Sequence, residues 1–149
     1  FDILWPEERL GDKLVWTDQV DNRVLGANTY SQREGNEQSV VVKLVYGNFS
    51  ALLTGDIGSK SEVVLINSGV DLHSNLLKVG HHGSRFSSSE VFLEAVKPII
   101  AVISVGKNRY GHPTQEALER LRDIGARILR TDQLGNIEVM SNGEKLWVR

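Results

Sequence analysis

Three short glycine-bearing segments hold most of the residues that can do chemistry. Leu52-Leu53-Thr54-Gly55-Asp56 is an apolar run that stops at a glycine and presents one carboxylate just beyond it. A carboxylate at a strand end faces a cleft rather than a core, and its two oxygens can bridge cations about 3.5–4 Å apart, as a two-metal hydrolytic site requires. Leu77-Lys78-Val79-Gly80-His81-His82-Gly83-Ser84 sets two adjacent imidazoles between glycines. Neutral imidazole is the commonest metal ligand near neutral pH. Neighbours in an extended segment point to opposite sides, so one of the pair reaches a metal easily; His81 is taken as the ligand and His82 as the residue that orients it or touches substrate. Ser104-Val105-Gly106-Lys107-Asn108-Arg109-Tyr110-Gly111-His112-Pro113-Thr114 is a third glycine-rich turn, placed before a capped helix. Such a turn offers backbone N–H groups to an anion, and Lys107, Arg109 and His112 add positive charge suited to a phosphate. Each segment alone also fits a plain solvated turn. His73, among Asp71, Ser74 and Asn75, is read as solvated rather than as a ligand.

The elements that must position these loops follow from local signals. Residues 39–46 (SVVVKLVY) and 49–54 (FSALLT) are β-branched or apolar runs joined by Gly47-Asn48, a two-residue hairpin signal. Ser59-x-x-Glu62 has capping-box spacing ahead of Val63, Val64 and Ile66, with Gly69 placed to stop that helix. A short strand over 76–79 leads into the His-His loop, and Ser87-x-x-Glu90 is read as a second capping box over a helix at 91–96 that Pro98 closes. Residues 99–105 read as a buried strand, and Thr114 caps a helix bearing Ala117, Leu118, Leu121 and Ile124 that Gly125 ends. Strands over 127–130, 135–140 and 145–148 complete the order. Alternating strands and helices predict a layered α/β domain over 39–149, with the three loops on one rim at the strand ends. Residues 1–38 read as an irregular lead-in carrying one edge strand at 1–5, stopped by Pro6, and the opening without an initiator Met suggests a cut chain.

Bulk properties narrow the chemistry. The 149 residues carry 40% hydrophobic and 24% charged side chains, enough to bury a core of their own. The formal net charge is -2, so no global positive field recruits a polyanion, and nucleic-acid binding would need a local patch or a metal. With no cysteine, a metal would be held by His, Asp or Glu, which suits zinc or manganese. The longest apolar runs, such as 99–105, fall far short of the ~20 residues that cross a bilayer.

In order, LLTGD (52–56), LLKVGHHGS (76–84), SSS (87–89), Phe92-Leu93, Lys97-Pro98, AVISVG (101–106), Asn108-x-Tyr110-Gly111-His112-Pro113 and RTDQLG (130–135) resemble the C-terminal metallo-β-lactamase-like domain of the ComEC family of DNA-uptake channel proteins. The match covers about residues 39–140, and Asn36-x-x-Ser39 is similar to the family's lead into its first long strand. The resemblance implies an αββα sandwich of two similar halves with one or two metal ions, Zn2+ or Mn2+, between them. Only the C-terminal half is expected here, because the family's HxHxDH motif has no counterpart among His73, His81, His82 and His112. By the same resemblance Asp56 is the bridging metal ligand, His81 or His82 the late histidine ligand, and Ser84, Ser104 and His112 line the substrate rim.

The implied partners are DNA or another phosphoester, the missing N-terminal half, and a membrane channel domain, with the domain on the extracellular or periplasmic side of a bacterial membrane. An open sheet edge and apolar surface are expected where the other half would pack. Two rival functions fit the same residues. One is a binding module without metal, using Arg85, Lys107 and Arg109 to hold a phosphate backbone. The other is a hydrolase of the same fold acting on a β-lactam, a thioester or another phosphoester, since fold alone does not fix substrate.

Overall fold

The computed structural model describes residues 39–149 together with the backbone of the strand Asp2–Trp5. The irregular lead-in expected over 6–38, with Asn36, lies outside the described residues. Among the described residues eight strands occur: β1 (Asp2–Trp5), β2 (Val41–Tyr46), β3 (Phe49–Leu53), β4 (Leu76–Lys78), β5 (Ile100–Ile103), β6 (Arg127–Arg130), β7 (Val139–Ser141) and β8 (Leu146–Val148). The helices are α1 (Ser59–Asn67), α2 (Glu90–Val96), α3 (Gln115–Asp123) and the single turn α4 (Thr131–Leu134), and Gly80–Gly83 forms a 3-10 turn.

Strands β1 to β6 form one sheet in sequence order. β1, β2 and β3 pair antiparallel, and β3 to β6 run parallel. Each parallel neighbour is reached through a helix, because a parallel return needs a long crossover. Registers Leu52↔Leu77 and Leu77↔Ala101 put three apolar side chains in a row. That row packs with Leu65, Phe92, Leu93, Val96, Leu118 and Leu121 of α1, α2 and α3 in the main core. The opposite face holds Ala51, Leu76, Ile100 and Leu129, packed against Ile137, Val139, Leu146 and Val148 of the β7–β8 hairpin and its approach. The result is a mixed α/β layer, as the alternating pattern predicts.

Coverage of the second face is incomplete. Leu44 pairs with Ala51 on that face, and Leu53 lies two residues on, yet they are 40% and 41% exposed. An apolar stretch of sheet therefore meets solvent beside the hairpin.

Local caps depart from the predicted boxes. Gly58, not Ser59, is the N-cap of α1, and Ser89 caps α2 without a side-chain hydrogen bond. The carboxylate of Glu62 instead crosses to the start of α2, where it accepts the backbone N–H of Ser88 and, at 2.9 Å, that of Ser89. It thereby caps α2 from another helix, and capping spacing alone cannot reveal a partner 26 residues away. Arg120 faces the same turn and donates to the carbonyls of Ser88, Arg85 and Ser87 at 2.8, 3.1 and 2.9 Å. Thr114 does cap α3, accepting from the Ala117 N–H at 3.4 Å. The strand expected over 135–140 is found at Val139–Ser141, after the single turn α4. Thr131 ties that turn to the chain after β5: its hydroxyl accepts the Val105 N–H at 2.8 Å and donates to the Val105 carbonyl at 2.7 Å.

Burial pushes the Glu62 carboxyl above its ordinary value of 4.5, against the lowering effect of the Ser88 and Ser89 N–H groups and Arg120. A raised acid binds its proton more tightly folded than unfolded, so its contribution is full below the unfolded value and declines as pH climbs through the folded one. Denaturant melts of Glu62→Gln are expected to show a stability deficit that is largest near pH 4 and shrinks toward neutrality. A deficit that grows with pH would contradict this reading of the buried carboxyl.

Candidate metal and phosphate site

The carboxyl ends of β3, β4 and β5 bring the three loops to one edge of the sheet. Asp56 follows a sharp turn at Gly55, whose φ is +53°, and a Cβ on Gly55 would sit 2.7 Å from Cβ of Ser39. Only glycine fits both the left-handed backbone and that approach. Ser39 also accepts the Asp56 N–H at 3.0 Å. Across the strand pair, Lys78 donates to the Gly55 carbonyl at 2.9 Å and holds its Nζ 3.8 Å from Oδ1 of Asp56. Burial pulls the Lys78 ammonium below its ordinary range, while the Asp56 charge works against that shift.

The two histidines do not lie in the extended backbone expected of them. Both are left-handed, at φ 48°, ψ 42° for His81 and φ 55°, ψ 24° for His82, so strand alternation does not govern their directions. His82 turns toward the carboxylate: its Nε2 lies 3.6 Å from Oδ1 of Asp56. Its Nδ1 is 2.6 Å from the carbonyl oxygen of Ser104. A carbonyl can only accept, so Nδ1 carries the hydrogen and a neutral ring keeps its lone pair on Nε2, the atom that faces Asp56. His81 instead meets His112 edge to face with ring centroids 5.6 Å apart.

The third loop is organised by one side chain. Asn108 accepts the N–H groups of Tyr110 and His112 at 3.0 Å each and donates to the carbonyls of Gly106 and His112 at 3.0 and 2.8 Å. The loop is docked on the His-His turn where a Cβ on Gly83 would meet Cβ of Pro113 at 2.6 Å, and where the Thr114 N–H reaches the Gly83 carbonyl at 2.9 Å. Tyr110 stacks on His112 at 5.9 Å. Nδ1 of His112 is buried with no hydrogen-bond partner. Lys107 and Arg109 are exposed on this loop.

Asp56, His82, His81, His112 and the Ser104 backbone thus come together. Ser84 does not present its side chain to the rim: it is 2% exposed, and its hydroxyl accepts the Phe86 N–H at 3.3 Å. The resemblance implied a place on the substrate rim, whereas the turn folds its side chain inward. His73 sits at the other end of the strands, where its carbonyl faces Ser50 at the start of β3. Lys78, Ser39, Asn108 and Thr131 position the site through tertiary contacts that no local pattern announces.

Two donors of the kind zinc or manganese takes, Oδ1 of Asp56 and Nε2 of His82, therefore face each other. Ligand atoms on a tetrahedral zinc at ~2.0–2.1 Å stand roughly 3.3 Å apart, so their 3.6 Å separation fits two positions of one ion. Among the described residues no group of three or more His, Cys, Asp or Glu side chains is placed to hold a metal, and a catalytic zinc takes three protein ligands.

The chain is similar to ComE operon protein 3 of Bacillus subtilis (strain 168), at 38% identity over 133 residues, 89% of this chain and 17% of that protein. It is 42% identical over 123 residues to competence protein ComA of Neisseria gonorrhoeae, covering 81% of this chain and 18% of that one. Recombination protein 2 of Haemophilus influenzae (strain ATCC 51907 / DSM 11121 / KW20 / Rd) matches at 33% over 118 residues, 78% of this chain and 15% of its own length. The chain therefore spans less than a fifth of the relatives it matches. No family model matches. No solved structure matches either.

Burial, and then the charges of His81 and His82, hold the His112 imidazole below its ordinary value of 6.5. A lowered histidine favours its neutral form in the fold, so its contribution is full above the unfolded value and is lost as pH falls through the folded one. In metal-free protein the His112 ring resonances are expected to titrate with a midpoint below 6.5, and a midpoint at or above that value would count against the packed environment described.

Proposed function

We propose that this chain is the C-terminal half of a metallo-β-lactamase-type hydrolase domain in a ComEC-like DNA-uptake protein, cleaving phosphodiesters with Zn2+ or Mn2+ held in part by Asp56 and His82. The observation that carries the reading is the His82 ring, with Nδ1 tied to the Ser104 carbonyl and Nε2 turned to Asp56 at 3.6 Å. Metal-bound histidines are oriented in this way by a carbonyl on the far ring nitrogen. The names of the relatives, a competence protein among them, support a place in DNA uptake. Their greater length supports the remaining ligands coming from other parts of the protein. The apolar face at Leu44 and Leu53 is where an N-terminal half would pack.

When bound, the metal would supply a nucleophile near neutral pH and stabilise the developing oxyanion. The residues do the remaining work. Asp56 and His82 contribute the ligands, Ser39 and Lys78 hold the Asp56 turn, and Thr131 fixes the backbone beside Ser104. Lys107 and Arg109 offer charge to the phosphate. His112, whose burial favours the neutral ring, stands beside His81 and can take part in proton transfer there. In this reading His82 takes the ligand place and His81 supports His112.

The reading places the domain on the extracellular or periplasmic side, next to a membrane channel domain. No described helix is long and apolar enough to cross a membrane. A second reading, a phosphate-binding module without metal, is favoured by Lys78, whose ammonium already stands 3.8 Å from Asp56.

Calorimetry and a phosphodiesterase assay on the intact protein separate the two. Asp56→Ala and His82→Ala are each expected to weaken Mn2+ or Zn2+ binding and cleavage by at least about 100-fold, more than loss of an outer orienting partner costs. Residues 1–149 alone are expected to bind zinc weakly and to cleave nothing. Tight stoichiometric zinc binding by that piece would sink the shared-site reading, and metal-independent DNA binding without cleavage would favour the module.

A further inference from the structure

His81 and His82 stand in succession at φ 48° and 55°, a left-handed backbone that residues other than glycine enter at a cost. Two such residues in a row persist where the surroundings over-determine them. Backbone ties supply part of that hold: the His81 N–H reaches the Gly55 carbonyl at 3.2 Å, and the Ser84 N–H reaches the His81 carbonyl at 3.0 Å. A side chain from beyond the turn supplies another part. The Ser87 hydroxyl lies 2.9 Å from the Gly80 carbonyl, just before the pair, and 3.1 Å from the Ser84 carbonyl, just after the turn. It closes the turn across its base. Having one hydrogen, it donates to one of these carbonyls at a time and keeps the other within reach.

Ser87 has little freedom of its own. It is 1% exposed, its N–H bonds the Ser84 carbonyl at 3.2 Å, and its carbonyl accepts from Arg120 of α3 at 2.9 Å. The turn has little room to shift against it, because a Cβ on Gly80 would stand 3.1 Å from the Ile57 carbonyl and 3.6 Å from Cβ of Ser87. The bonds of the hydroxyl go to the main chain of the turn, so its influence on the imidazoles passes through their backbone. We propose that Ser87 is a positioning residue for His82: by bracing the left-handed turn it aims the ring, so that Nδ1 meets the Ser104 carbonyl and Nε2 meets Asp56. The consequence for metal binding rests on the metal-site reading above, whereas the aim of the ring is set before any metal arrives.

Ring-nitrogen NMR of the intact, metal-free protein with isotope-labelled histidines tests it, at an alkaline pH where imidazoles are neutral, with the His82 signals identified by their loss in His82→Gln. The unaltered ring is expected to carry its hydrogen on Nδ1. Ser87→Ala and Ser87→Cys are both expected to release it into a mixture of the two tautomers, because a thiol keeps the buried bulk but donates weakly. Ser74→Ala removes another buried hydroxyl, one that donates to the Leu72 carbonyl at 3.1 Å ahead of β4, and is expected to leave the ring as it was. An intact Nδ1–H ring in Ser87→Cys would assign Ser87 to packing and overturn the proposal. An unmoved ring in Ser87→Ala, or an equal change in Ser74→Ala, would overturn it too. Calorimetry with Mn2+ on the same proteins is expected to show about 10-fold weaker binding for Ser87→Ala, the lower end for loss of an outer group that orients a ligand. Absence of Mn2+ binding by the unaltered protein would overturn the metal reading, and the tautomer contrast would still decide this one.

Discussion

Everything at the candidate site depends on the parallel register of β3, β4 and β5. Leu52, Leu77 and Ala101 stand side by side, so the residues a few positions further along each strand leave the sheet at the same edge. That alignment is enforced by burial. A slip of one residue in β3, β4 or β5 would turn Leu52, Leu77 or Ala101, each fully buried, to the other face. Residues with no contact in sequence, Asp56, His82 and the Ser104 carbonyl, therefore meet because the core beneath them permits one register.

On that platform the loops are locked by polar groups that belong to other elements. Glu62 reaches from α1 to the start of α2, Arg120 from α3 to the turn at residues 85–88, and Thr131 from α4 to the end of β5. Each satisfies backbone groups that a tight turn would otherwise bury unpaired. Residues 85–89 and the end of β5 are thus fixed from three helices, while Asn108 organises residues 106–112 from within the loop and Ser39 and Lys78 hold the Asp56 turn.

This division explains what could be read from the chain and what could not. The hairpin at Gly47-Asn48, the strands around it and the Thr114 cap rest on signals within a few residues and appear where those signals lie, whereas the strand read over 135–140 is found at Val139–Ser141. Asp56 and the histidine pair were visible for the same reason, a carboxylate or imidazole next to a strand-ending glycine. The inward turn of Ser84, the left-handed backbone at His81 and His82, and the cross-helix cap by Glu62 were not visible. Each is decided by a neighbour more distant in sequence than any spacing rule reaches, or by backbone conformations that a histidine rarely adopts. The metallo-β-lactamase sandwich rests on the resemblance; the described residues form a mixed six-stranded sheet with helices on one face and the β7–β8 hairpin on the other.

The carbonyl of Ser104 that holds His82 has a wider implication. The group that orients the imidazole belongs to the main chain, so the identity of the residue at 104 is uncoupled from the task performed there. Its side chain is exposed, and it can change between related proteins, or be recruited to discriminate among substrates, while the imidazole stays aimed. Specificity could then diversify at this position without any cost to the geometry beneath it.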